Sequence, residues 1–211
     1  MNALPAMRHA LARARVVLVD TGVANLGSVA AALARIEVPC VVSRRADELA
    51  SGTHVILPGV GAADAGLRRL RELELEPALC SLSIPVLGIC LGMQMMFAAT
   101  AEGSEPGLGL FPGQVRLLPS TPSARVPHMG WNRLEPLRES PLLQGLPADA
   151  YVYFVHSYAA DVDAYSVAAC THGVRFAAMV ARENFHGMQF HPERSGAVGA
   201  QILRNFLALR T

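Results

Sequence analysis

The chain contains no lysine, and arginine supplies all 18 of its fixed cations. This reads as a coding bias toward GC-rich codons rather than as function. The formal net charge is only +1. There is accordingly no electrostatic case for a nucleic acid or an anionic membrane as partner. No apolar run is long enough to span a bilayer, and no secretory leader with an apolar stretch and cleavage site is present; a cytoplasmic location is expected. Cys-x-x-Cys and His-x-x-x-His spacings are missing, which argues against a metal site, and no cofactor is called for. There is no internal repeat, low-complexity tract or linker. A single domain is expected over residues 16–211. Residues 1–15, with Arg8, Arg13 and Arg15 and no acid, are expected to be an N-terminal extension, with Met7 a candidate start.

Half of the residues are hydrophobic, enough for a sizeable core. The four cysteines are Cys40, Cys80, Cys90 and Cys170. Outside a small secreted chain, an even count does not imply disulfides, and free thiols in a reducing compartment are expected. Three of them read as small buried apolar residues. Cys90 needs another account.

The first half alternates short apolar runs with helical spacing. Strands are expected at Val16–Val19, Val38–Val42, His54–Leu57 and Ile84–Ile89. Helices are expected at Ser28–Ile36, Ala62–Leu79 and Leu91–Ala99, with a short turn capped by Asp47. This is the pattern of a parallel sheet covered on both faces. After Thr100, glycine and proline become frequent. The strand candidates there are Val126–Trp131, Tyr151–Val155, Ser166–Cys170, Ala177–Ala181 and Gly187–Phe190, expected as antiparallel additions to the sheet. Ala197–Leu209 reads as a closing amphipathic helix. His54 is expected in a strand, and His172 and His186 are expected to be exposed.

Gly88-Ile89-Cys90-Leu91-Gly92 falls where the fourth strand meets its helix. That is the spacing of a nucleophile elbow, with Cys as the nucleophile. Glycine on either side lets the backbone pass closely. The helix N-terminus beside the sulfur favours thiolate over thiol, and the Leu91 N–H is placed to meet a developing oxyanion. A cysteine ending a buried strand is usually mere core; the two glycines and the following helix put the catalytic reading ahead. About a hundred residues downstream comes Phe190-His191-Pro192-Glu193. Pro192 holds His191 extended, so His191 and Glu193 share a face and the carboxylate can orient the imidazole. Cys90, His191 and Glu193 form a candidate triad.

Gly88 to Gln94 together with Gln189 to Glu193 resembles the class I, triad-type glutamine amidotransferases, over nearly the whole chain from Val16. Within that class the chain is similar to the glutaminase subunits of bacterial imidazole glycerol phosphate synthase. That likeness rests on Asp20 to Leu26, Pro58-Gly59-Val60-Gly61, Pro127-His128-Met129-Gly130-Trp131-Asn132, Tyr153 to Tyr158 and Arg194-Ser195-Gly196. The resemblance implies a flavodoxin-like, three-layer α/β fold with a mostly parallel central sheet. It implies glutamine as substrate and a (β/α)₈ cyclase subunit as heterodimer partner that receives the ammonia. Further roles follow from it. Main chain at Gly59 and Val60 completes the oxyanion site with Leu91. Gly61, Gln94, Glu102, Ser157 and Tyr158 hold glutamine. Asn25, Trp131, Tyr153 and Arg194 face the partner. Thr21, Ala24 and Arg194 depart from the family's usual Tyr, Gly and Lys.

Three other readings compete. One is the glutaminase of anthranilate, aminodeoxychorismate or pyridoxal phosphate synthesis, the second a non-catalytic scaffold on this fold, and the third a stand-alone cysteine hydrolase. The first two synthases usually have His where Met93 stands, and the third has a different oxyanion strand. A scaffold would be expected to lose a triad member. The glycine pair in Pro58–Gly61 permits peptide flips, so the oxyanion site is expected to be incomplete until the partner docks.

Overall fold

In β1 (Val16–Val19), Val16 and Leu18 join one buried cluster while Val17 and Val19 join another. Successive strand residues point to opposite faces, so both faces of this strand must be covered. A computed structural model of the chain describes residues 10–22 and 24–210. Its central sheet has eight strands. Five run parallel, in the order β2 (Cys40–Ser43), β1, β3 (His54–Gly59), β4 (Val86–Cys90) and β13 (Phe185–Met188). Three antiparallel strands follow: β12 (Val174–Arg182), β11 (Ser166–His172) and β8 (Glu135–Pro136).

Helices α1 (Leu26–Arg35) and α6 (Gly196–Leu207) supply Val29, Leu33, Ile202, Leu203 and Phe206 to the first cluster. Helices α2 (Ala46–Ser51), α3 (Ala63–Glu72), α4 (Leu75–Cys80) and α5 (Leu91–Met95) supply Leu49, Leu67, Leu70, Leu75, Leu79 and Met93 to the second. The layers are helix, sheet, helix, as expected. Two small sheets extend the second half. One is β10 (Tyr158–Ala160), β6 (Phe111–Leu117) and β5 (Phe97–Thr100); the other is the ribbon of β7 (His128–Arg133) and β9 (Tyr151–His156).

Several elements differ from expectation. The helix expected over Ala62–Leu79 is two helices, parted at Leu73–Glu74, where Glu74 is left-handed at φ 55°. In one continuous helix the Pro77 ring would meet the carbonyl of Leu73. The helix after Cys90 ends at Met95 rather than Ala99, because Phe97 leaves it to pair with Phe111 in β5 and β6. Both phenylalanines are buried, with ring centroids 5.5 Å apart. Asp47 does not cap α2; Arg45 stands at the cap, and Asp47 pairs with its guanidinium. His172 and His186 are half-buried rather than exposed. Of the expected extension, residues 1–9 and the candidate start Met7 lie outside the described residues. Residues 10–13 form a helical turn, and Leu11 and Ala14 pack on the core.

The elbow is a tight backbone crossing. A Cβ built on Gly92 would lie 1.8 Å from the Leu57 carbonyl oxygen, and one on Gly88 2.7 Å from the Met93 nitrogen. Backbone on both sides leaves no side chain free to yield. Gly92→Ala should therefore cost at least about 3 kcal/mol, read as a lower urea midpoint. A melt like that of the parent chain would contradict this account of the crossing.

Candidate active site

Cys90 ends β4 at φ 53° and ψ −109°, a left-handed backbone that β-strand residues avoid. Such strain persists only where the surroundings enforce it, and it concentrates at functional sites. Here Gly92 locked against Leu57 enforces it, and the Cys90 side chain is thrust out at the C-terminal end of the strand. The thiol lies 3.8 Å from the Val155 carbonyl of β9.

His191 and Glu193 follow β13, the neighbour of β4. His191 is extended, and Pro192 opens a single 3₁₀ turn. The imidazole Nδ1 lies 2.7 Å from Glu193 Oε1, with both side chains almost wholly buried. Burial works to lower the pKa of His191. Hydrogen bonding and charge from Cys90 and Glu193 outweigh it and raise the value to about 10. The other ring nitrogen, Nε2, has no hydrogen bond of good geometry, although the Cys90 sulfur influences the ring. That leaves Nε2 available to take and give a proton on the sulfur side. Main chain fixes the pair from below: His191 N–H donates to the Tyr153 carbonyl at 2.9 Å, and the Ser195 hydroxyl to the His191 carbonyl at 2.6 Å.

The residues expected around the triad are placed as follows. Gly59 pairs with Cys90 across β3 and β4, and Leu91 opens α5. Val60 is exposed, and Gly61 turns at φ 88°. The buried Gln94 amide donates to the Tyr158 carbonyl at 2.9 Å, and Ser157 precedes Tyr158 where β9 passes into β10. Glu102 Oε2 accepts from the Ala63 N–H at 2.7 Å, bracing the start of α3 just past Gly61. Trp131 and Tyr153 are register partners with rings edge to face at 6.1 Å, and the Arg194 guanidinium sits 4.9 Å over the Tyr153 ring. These three form one patch. Asn25 caps α1, accepting from the Ser28 N–H at 3.2 Å.

Two features escaped the sequence reading. Gln189 stood within the motif with no role assigned to it; it is fully buried, and its amide lies 3.8 Å from the Cys90 sulfur. His128 and His156 sit opposite one another on the ribbon, their facing nitrogens 3.0 Å apart. Burial pushes His128 down to about 3 and His156 to about 4, so both stay neutral. A cavity of about 530 Å³ lined by Pro85, Arg138, His186 and Arg210 lies at the opposite ends of the strands.

A thiol at an elbow, a buried imidazole and a carboxylate together suit acyl transfer through a thioester. Residues 17–209 match the family model described as glutamine amidotransferase class-I. The chain belongs to the class-I glutamine amidotransferase family. Imidazole glycerol phosphate synthase subunit HisH of Xylella fastidiosa (strain Temecula1) is 53% identical over 194 residues, covering 92% of this chain and 97% of the relative. The subunit HisH of Xanthomonas euvesicatoria pv. vesicatoria is 54% identical with the same coverage. Among solved structures, a glutamine amidotransferase superposes with a TM-score of 0.70 at 19% identity, over 91% of this chain and 98% of that one. PurLQS from Thermotoga maritima does so with 0.69 at 19% identity, over 92% and 97%. At such identities these two establish the amidotransferase fold alone.

Two pH effects follow. With its native value raised, His191 contributes stability that is complete below its unfolded value of about 6.5 and lost as pH rises through about 10. Glu193→Gln should lower that upper limit. It should cut glutamine turnover about a hundredfold and bring the alkaline fall in activity to lower pH, measured as a kcat profile. For His128 and His156 the sign is opposite. Their contribution is complete above about pH 6.5 and is lost as pH falls toward about 4 and about 3. Urea midpoints should fall from pH 7 to pH 5, and less steeply in His156→Gln. Equal slopes would refute the assignment.

Proposed function

We propose that this chain is the glutaminase subunit of an imidazole glycerol phosphate synthase. It hydrolyses glutamine and passes the ammonia to a (β/α)₈ cyclase subunit, in the cytoplasm, for histidine synthesis. The observation that carries this reading is a buried Cys90–His191–Glu193 arrangement in a chain 53% identical to a HisH subunit over 92% of its length.

The Cys90 thiolate attacks the side-chain carboxamide carbon of glutamine. The oxyanion is met by the Leu91 N–H and by a main-chain N–H from Gly59–Val60. His191 gives its proton to the departing nitrogen, ammonia leaves, and a glutamyl thioester remains. The neutral imidazole then takes a proton from water, whose oxygen attacks the thioester. Breaking of the C–S bond releases glutamate and the Cys90 thiolate, and the proton taken from water stays on His191. Glu193 keeps the ring aligned and stabilises its cationic form.

Gln94, Glu102, Gly61, Ser157 and Tyr158 hold the amino-acid end of glutamine. Both N–H groups of Gln94 are engaged, one by the Tyr158 carbonyl and one by Gln189 Oε1. Its carbonyl oxygen is left to accept from the substrate ammonium. Cys90 is only 7% exposed, so glutamine reaches the sulfur through a narrow opening. The partner face is built on β7, where Trp131 is 56% and Met129 64% exposed, next to the Tyr153–Arg194 stack. Large exposed apolar side chains side by side mark a surface made to be covered. Asn25 adds to that face from the start of α1.

The test is glutamate release by the purified chain, alone and with a cyclase subunit carrying its nucleotide ligand. Turnover should be low alone, rise in the mixture and vanish in Cys90→Ala. Turnover indifferent to the cyclase would remove the histidine assignment and keep the glutaminase; none in any mixture would revive a scaffold.

A further inference from the structure

Gln189 follows β13 directly, and β13 runs beside β4 with Met188 opposite Ile89. One residue further along each strand, the Gln189 side chain and the Cys90 sulfur meet. Gln189 is fully buried, and a buried amide must find partners for both its ends.

The network fixes which end faces the sulfur. The Tyr158 main-chain carbonyl can only accept, so the Gln94 atom 2.9 Å away is the nitrogen. The same nitrogen lies 3.0 Å from the Gln189 amide, so that end of Gln189 is its oxygen. The Gln189 nitrogen therefore points the other way, to Cys90 Sγ at 3.8 Å. Among the described residues, the sulfur is the acceptor this nitrogen has. The Tyr158 carbonyl is also shared by His156 Nδ1 at 2.8 Å, which braces the far end.

We propose that Gln189 is a positioning residue for the reaction: its amide N–H donates to the Cys90 sulfur, holding it toward His191 and favouring its ionised form. A donor gains most when its acceptor carries charge. The contact therefore strengthens when the thiolate forms and weakens when the sulfur becomes a thioester. The side-chain hydrogen bonds of Gln189 go to Gln94 and Cys90, and in this role it acts through Cys90. The inference rests on the glutaminase reading of the site.

Two variants test it, each assayed in the complex with the cyclase subunit and its nucleotide. Gln189→Glu keeps the shape and the acceptor for Gln94, but sets a carboxylate oxygen against the sulfur. The expectation is a kcat lower by about 10- to 100-fold with KM little changed. The deficit should shrink as pH falls, because a protonated acid can donate again. Gln189→Met has no donor at any pH, and its deficit should not recover. In both, the pH at which iodoacetamide alkylates Cys90 at half its maximal rate should move upward. A merely structural role would not give a deficit that depends on pH in Glu and not in Met. If the Met variant does not fold, the Glu variant decides alone. Folded variants with kcat within about twofold of the parent and an unmoved alkylation profile would overturn the proposal. Failure of the parent complex to hydrolyse glutamine would reject the glutaminase reading instead.

Discussion

The contact on which the rest depends is backbone against backbone: Gly92 at the start of α5 pressed on the Leu57 carbonyl of β3. It allows the chain to reverse within two residues of Cys90 and accounts for the left-handed conformation there. It also sets α5 so that Gln94, one turn on from Cys90, reaches Tyr158 and Gln189. A methyl group at Gly92 would push α5 off the strand and dissolve that geometry. Strain at Cys90 is sustained by packing in which side chains have almost no part.

Much of the parallel half was legible because its strands are buried on both faces and read as unbroken apolar runs. The candidate triad stood out for a similar reason: glycines flank Cys90 and proline follows His191, so backbone constraints are written into residue types. What was not legible depended on distant partners. Phe97 looks helical until Phe111 is known to lie beside it. The strand Phe111–Leu117 contains Pro112 and Gly113, which local rules count against a strand; it forms because β5 and β10 pair with it on either side. His172 reads as a surface residue, yet its ring stacks on His128 with centroids 4.1 Å apart. Gln189 illustrates the limit in the site: nothing in its neighbours along the chain says that its amide ends on a sulfur.

The polar groups around Tyr158 form one directed line. His156 gives its Nδ1 proton to the Tyr158 carbonyl, so its Nε2 accepts from His128 Nδ1. His128 Nε2 then accepts from Asn132, which also donates to the Thr171 carbonyl. Through Tyr158 the line meets Gln94, Gln189 and Cys90. Every donor has an acceptor only if both imidazoles are neutral. Burial is what lowers the pKa of the two histidines, and the neutral rings it enforces fit the fixed orientation of the amides. Such networks cost stability when one member is lost and define a single arrangement when complete.

The tight elbow also decides where this active site has freedom to change. Up to Gly59, β3 and the turn after Cys90 are in mutual contact; a Cβ on Gly59 would already lie 2.9 Å from that of Leu91. Sliding the strand would drag Cys90 with it. Just beyond, Val60 is exposed and a Cβ on Gly61 would meet nothing within 4 Å. The slack in this wall of the candidate site is therefore confined to the peptides around these two residues. A reorientation there is a rotation in place, which can redirect one N–H while every carbon of the nucleophile turn keeps its position.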